Sequence, residues 1–341
     1  MRYISHEDFG RLLHDLERDY QVYVPCRKNI HRYYRPYAGL TDDVVIGEVR
    51  AFEPLKAFFF RARQKVAEGF SPDVVHGEDR PVCIVGAKAC DLKAFAILDH
   101  VFRGHDYADP YYARAREANL IISADCTYAI DTCFCLALNV DPYPREAFDI
   151  NLSPLDDGFL VETGSQKGTA IVAGRAALFA DAGEQRTRDR NETRRHVIHA
   201  VQKNIEQNRI PHQDALEGAV ARNYEAEIWA DEAQTCVECG ACNTICPTCH
   251  CFLLYDQKGK AHIERFRIWD ACLLKDFARV AGGANPRPKL WMRLRNRFEK
   301  KFDFFPKVAG MYACTGCGRC ISACPAKIDI RRILKRLVNH A

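Results

Sequence analysis

Seventeen cysteines in 341 residues are the side chains best able to do chemistry, and eight of them repeat one pattern. Cys236, Cys239, Cys242 and Cys246 stand before Pro247. Cys314, Cys317, Cys320 and Cys324 stand before Pro325. Both runs read C-x2-C-x2-C-x3-C-P. Three thiolates spaced by two residues reach three irons of one cube while the backbone wraps round it. The proline turns the fourth cysteine away from its own run. Gly240, Gly316 and Gly318 are expected to relieve crowding where the chain passes close to the inorganic core.

The spacing is that of two-cluster [4Fe–4S] ferredoxins, in which the fourth cysteine of each run ligates the other cluster. The first cluster is therefore assigned to Cys236, Cys239, Cys242 and Cys324. The second takes Cys314, Cys317, Cys320 and Cys246. Paired zinc sites are the competing chemistry, but zinc motifs use C-x2-C pairs rather than four cysteines at this spacing.

A third set lies earlier in the chain. Cys90 sits at a helix start, Cys126 follows the strand LIISAD, and Cys133-Phe134-Cys135 comes soon after. Cysteines at strand ends and loops can converge in an α/β domain, and the helix start at Asp91 favours a negative group nearby. The spacing matches no ferredoxin run. A third [4Fe–4S] cluster and a set of buried, apolar cysteines both remain open readings. Cys249, Cys251 and Cys272 lie near the first run. Three cysteines do not complete a cubane, so packing around the second cluster is preferred to a further metal held with His250; a redox-active thiol pair ranks below these. Cys83 reads as core, and Cys26 as solitary.

The elements that must position these residues fall into two parts. Residues 1–182 read as an α/β domain. Ser5 caps a first helix whose apolar face is Phe9, Leu12, Leu13 and Leu16. Strands are expected at 22–24, 44–49, 82–85, 120–123 and 134–138, with two weaker ones at 148–152 and 159–162. Asp91 is expected to cap a helix reaching Phe102. Residues 183–215 form a charged helical connector with one apolar face, Val197, Ile198, Val201 and Ile205, read as a solvated link. Residues 216–341 form an α-helical, ferredoxin-like dicluster domain. Cys246 and Cys314 lie 68 positions apart, and helical stretches at 269–280 and 289–301 are expected to fill the insert.

Charge is unevenly spread. Residues 231–341 hold 20 Lys and Arg against 10 Asp and Glu, whereas residues 1–230 hold 29 against 35. Each oxidised cluster with four thiolates carries about −2 and offsets part of that excess. The remainder fits an acidic partner better than nucleic acid, for which aromatic interleaving gives no support. No apolar run is long enough to span a bilayer, and the N-terminus lacks the pattern of a secretory signal, so a cytoplasmic setting is expected. Dinucleotide, Walker A, H-E-x-x-H and G-x-S-x-G motifs are absent.

Beyond the cysteine runs, the chain resembles the iron–sulfur subunits typified by the sulfhydrogenase β subunit and the A subunit of anaerobic sulfite reductase. The resemblance rests on GAKACDLKAFAILDHVF (86–102), DPYYARAREANLIISADC (109–126), CFC (133–135), CVECGACNTICPTCHCF (236–252), WDACLLKDFARVAGGANPRP (269–288) and CTGCGRCISACP (314–325). Lys88 stands where such proteins often carry Arg, so the charge is kept. The resemblance implies an anaerobic, hetero-oligomeric electron-transfer subunit that passes electrons between a flavin/NAD(P)-type subunit and a catalytic subunit of hydrogenase, sulfite reductase or heterodisulfide reductase type. It also strengthens a cluster at Cys90, Cys126, Cys133 and Cys135, and a role for Cys249, Cys251 and Cys272. The rival reading is a subunit that reduces a thiol, disulfide or sulfur species at its own cysteine or cluster site.

Overall fold

The computed structural model describes residues 1–69, 71, 80–104 and 106–340. Its first part is built on an eight-stranded sheet. The strands are β1 (Arg2–Ser5), β2 (Gln21–Lys28), β3 (His31–Pro36), β5 (Val82–Ala87), β6 (Leu120–Ala124), β7 (Ile150–Pro154), β8 (Gly158–Thr163) and β9 (Ala180–Asp181), while β4 (Arg63–Glu68) belongs to another sheet. The spatial order is β3-β2-β5-β6-β7-β8-β1-β9. Strands β2, β5, β6 and β7 run parallel, and the flanking pairs are antiparallel.

The period of two in the central strands sorts their side chains onto two faces. Val85, Leu120 and Ile122 join a core with Ile4 of β1 and Phe9, Leu12, Leu13 and Leu16 of the helix α1 (His6–Leu16). Ile84 and Ile121 face the other way, onto Phe95, Leu98 and Phe102 of α2 (Ala89–Arg103) and Tyr112 of α3 (Pro110–Ala118). Ser5 caps α1 by accepting from the Asp8 N–H at 3.1 Å. Lys88, not Asp91, occupies the position before α2, and its side chain makes no cap bond there.

A third core joins the two parts of the chain. The helix α5 (Glu184–Asn208), which follows α4 (Gln166–Ala173), buries Val197, Val201 and Ile205 against Phe134 and Leu138 on one side and Trp229 and Phe298 on the other. It is therefore packed along one face rather than solvated all round. The region after it contains the helices Leu290–Glu299 and Ile330–Asn339, joined by short helical turns. Lys300–Phe304 continues the first of these as a π-helical turn.

Several expected elements differ. Residues 44–49 form no strand; a single bridge pairs Val44 with Cys26. Cys135–Leu138 is a 3-10 turn closed by Asn139 in the left-handed region. The insert is not wholly helical. Phe252–Lys258 (β10) and Ile263–Trp269 (β11) form a hairpin that takes β4 as its third strand, so residues far apart in sequence share one sheet. Residues 270–280 are turns, not the expected helix. Among the described residues no helix is long and apolar enough to cross a membrane.

Candidate metal centres

The four cysteines of the α/β part come together at the carboxyl end of the parallel strands. Cys90 lies in the first turn of α2, just after β5, and Cys126 follows the adjacent β6. Crevices beyond the carboxyl ends of parallel strands are the common ligand position in such sheets. Cys90, Cys126, Cys133 and Cys135 line a single cavity, together with Cys317 and Gly316 of the second run. Burial pushes all four thiols up, Cys126 to about 11 and Cys90 well above the usual thiol range. A bound cation centre would ionise such thiols outright.

The cavity has positive groups at its wall. Lys88 is 2% exposed and donates to the carbonyls of Ile46 at 2.7 Å, Asp125 at 3.1 Å and Ala124 at 3.3 Å. Burial lowers its pKa, while Cys126 and Asp125 oppose the shift. Arg50 donates to the Cys317 carbonyl and to Ser322 Oγ at 3.2 Å. An anionic group among these thiols suits that wall.

The second cavity is lined by Cys236, Cys239 and Cys242 of the first run, by Cys320 and Cys324 of the second, and by Arg297. The rest of its wall is mainly apolar, including Leu273, Leu294, Phe298, Ile330 and Ile333. Cys239 is exposed, so this cavity reaches the surface. Burial raises the Cys242 thiol to about 12, against the pull of Arg297.

Of the expected second set, Cys246, Cys314, Cys317 and Cys320, Cys317 lines the cavity of Cys90 and Cys320 that of Cys236. Lys301 Nζ is 3.4 Å from Cys246 Sγ, 2.8 Å from Thr248 Oγ1 and 3.0 Å from the Ala313 carbonyl. Contact with Cys249, then Lys301 and Arg297, holds the Cys246 thiol well below its usual range despite burial. Burial opposes the charge of Lys301, but Cys246 and Cys249 more than offset this and raise its pKa. Burial likewise opposes the charge of Arg297, one helical turn away, and Cys242, Cys320, Cys249 and Cys246 raise its pKa. Arg297 Nε is buried without a hydrogen-bond partner. Two buried cations whose charge is favoured by cysteines fit a negatively charged metal–sulfur core. The residues present thus fit the cofactor that their spacing implies.

Two glycines hold the second run against the α/β part. Gly316 and Gly318 have φ of +64° and +69°. A Cβ on Gly316 would stand 2.5 Å from Cys135 Cα, and one on Gly318 would stand 2.1 Å from the Thr132 carbonyl oxygen. The crowding they relieve is thus against the Thr132–Cys135 backbone, which the Phe134 N–H also ties to the Gly316 carbonyl at 2.9 Å. Sequence reasoning missed this contact, and it missed Lys56, Arg50 and Arg319 as buried cations near the thiols. Their local sequences carry no signal, because their partners lie far along the chain.

The remaining cysteines divide. Cys83 is wholly buried in the sheet core, and Cys26 is half-buried on β2. Cys249, Cys251 and Cys272 cluster at the base of the β10–β11 hairpin. His250 packs its ring against Phe102 and Phe305, and burial lowers its pKa to about 4.

Residues 235–328 match the 4Fe-4S dicluster domain family. This segment is a carrier of two [4Fe–4S] clusters, which displaces the zinc reading. No solved structure matches the chain. A curated relative, "Sulfhydrogenase 2 subunit beta" of Pyrococcus furiosus, is 32% identical over 338 residues, covering 98% of each chain. The order of anchors along the sequence, the paired cysteine runs and this full-length similarity agree: the chain belongs to the sulfhydrogenase β subunit family of iron–sulfur proteins.

Proposed function

We propose that this chain is an electron-relay subunit carrying three [4Fe–4S] clusters in a line. Each such cluster takes up or releases one electron. The first is held by Cys236, Cys239, Cys242 and Cys324, the second by Cys314, Cys317, Cys320 and Cys246, and the third by Cys90, Cys126, Cys133 and Cys135. The observation that carries the order is the sharing of walls. Cys320 lines the first set's cavity, and Cys317 lines that of the third set. The second set therefore stands between the other two.

The protein's part is to bind, to exclude water and to set charge. Leu273, Leu294 and Phe298 keep the first site apolar. Lys301 places positive charge beside the second, and Arg297, in the wall of the first set's cavity, faces Cys242 of the first set and Cys320 of the second; both favour the electron-rich state. The exposed Cys239 marks one end at which a partner gains access. The name of the similar protein, a β subunit, supports a place in a larger complex. In that complex the chain connects a flavin/NAD(P)-type subunit with a catalytic subunit in an anaerobic, cytoplasmic oxidoreductase.

The test is the Cys126→Ser/Cys133→Ser variant in the intact complex. It should lose about four iron and four sulfide per chain and keep the dicluster signals. Electron flux between the two ends of the complex should fall at least tenfold, while each partner's own partial reaction persists. An unchanged iron content rejects the third cluster, and unchanged flux after its loss rejects the line.

A further inference from the structure

Cys249, Cys251 and Cys272 belong to none of the three sets above, yet the fold gathers them. The ladder pairs Phe252 with Trp269, and the Asp270 N–H donates to the Cys251 carbonyl at 2.9 Å. The segment entering β10 and the segment leaving β11 therefore run side by side. Asn243, 2% exposed, directs its amide nitrogen to Cys272 Sγ at 3.0 Å and to Cys249 Sγ at 3.8 Å. Those two sulfurs are thus no more than 6.8 Å apart. Cys251 lies within electrostatic reach of Cys272 and Asp270.

The surroundings suit thiolates. A buried amide that gives its N–H groups to sulfur stabilises the anion more than the neutral thiol. Lys56 is 3% exposed; its Nζ donates to the Cys249 carbonyl at 2.8 Å and lies 4.3 Å from the centre of the Trp269 ring. A carbonyl and a ring face this buried ammonium, and the nearby cysteines supply the remaining negative charge. All-thiolate donor sets select zinc, copper(I) or iron–sulfur clusters. Among the described residues no three His, Cys, Asp or Glu side chains close on a single ion position. Two sulfurs within that bound, with Cys251 beside Cys272, are in reach of the corners of one polynuclear core.

We infer that Cys249, Cys251 and Cys272 ligate an additional iron–sulfur cluster, one iron of which carries no cysteine. The inference rests on reading the chain as an iron–sulfur carrier. Cys249 also touches Cys246 of the second set, so the new centre branches from the middle of the line rather than extending an end. An iron without a cysteine ligand is open to a small exogenous donor, which the fully thiolate-ligated clusters are not.

Iron and sulfide are compared in anaerobically purified full-length wild type and the Cys251→Ser/Cys272→Ser variant. The variant should hold about four fewer of each per chain. Equal contents overturn the inference, whatever the wild-type total. Wild type devoid of iron overturns the relay reading itself, and the inference with it. If the variant loses every cluster, wild type decides. Cyanide added to the dithionite-reduced chain should shift one electron paramagnetic resonance signal and leave the others in place. A spectrum unmoved by cyanide overturns the inference.

Discussion

Arg319 Nη2 and Asp91 Oδ2 meet at 2.7 Å, and both side chains are shielded from solvent. Arg319 belongs to the second cysteine run and Asp91 follows Cys90, so this ion pair fastens the dicluster segment to the α/β sheet beside two sets of thiols. Asp91 also accepts from the Leu55 N–H at 3.2 Å, and Arg319 Nε donates to the Ala51 carbonyl at 3.0 Å. Removing one partner leaves the other charge buried and unpaired, which costs about 3–5 kcal/mol. Arg319→Met should therefore lower the unfolding free energy of the holo chain, read from denaturant unfolding, by that amount. A loss below about 0.5 kcal/mol, the scale of ordinary surface changes, would show that the pair is not a fastening.

One glycine from each run makes a sharper comparison. Gly318→Ala places a methyl 2.1 Å from the Thr132 carbonyl oxygen, and backbone must move to admit it. Gly240→Ala has the same left-handed strain, with φ of +69°, but its nearest neighbour is the Ala271 methyl at 3.1 Å. Both substitutions share the cost of left-handed backbone, roughly 1–2 kcal/mol. Only Gly318→Ala should also pry the second run from Thr132–Cys135. Iron content and susceptibility to proteolysis between residues 126 and 140 measure this, and equal behaviour of the two variants would contradict it.

How much of this was legible depends on sequence distance. The ferredoxin runs were readable because the ligand spacing is a local property of the chain. Their glycines were readable as necessary, but a further reason was not, since the Thr132 backbone that crowds Gly318 is brought there by topology. The strand pattern around Val82 and Leu120 survived because it is buried on both faces. Residues 44–49 have the same apolar look, yet they make one bridge and then turn so that Arg50 reaches Cys317. The β10–β11 hairpin was missed because Phe252, Leu253 and Leu254 are all exposed and give no inward alternation. Its third strand, β4, comes from nearly two hundred residues earlier, where no local pattern points to it. Convergence of Cys90 with Cys133 likewise needs the parallel order of β5 and β6, which the cysteine spacing does not encode.

Lys301 gives a prediction in millivolts. Its ammonium is buried at 3.4 Å from Cys246 Sγ, and its other contacts are a hydroxyl and a carbonyl. A fixed positive charge beside a cluster stabilises the reduced state, which carries one more electron. Lys301→Met should lower the reduction potential of the cluster ligated by Cys246 by roughly 50–100 mV, given about 59 mV per tenfold change for one electron. Potentiometric titration followed by electron paramagnetic resonance measures the shift. The signals assigned to the Cys90 set should move less. An unchanged or raised potential would place the charge elsewhere than beside that cluster.

Removal of the clusters tests the electrostatic design as a whole. Arg297 and Lys301 are buried among cysteines; contact with Cys249 and the nearby cations lower the pKa of the Cys246 thiol, while burial raises that of Cys314. Without iron, much of the compensating negative charge is lost as buried thiols such as Cys314, pushed up to about 12, take protons. Two cations then remain in the core with too little to face them, each costing several kcal/mol. Phe298 and Phe302, on the same helical stretch, pack into the core shared with Val197 and Val201 of α5. Loss of iron should therefore loosen that helix and α5 together, while the sheet, whose cores contain neither residue, stays folded. Hydrogen exchange before and after anaerobic chelation should show residues 290–304 and 197–205 losing protection and 120–124 keeping it. Equal protection in both states would mean that the protein core, and not the bound clusters, holds the carboxyl-terminal part together.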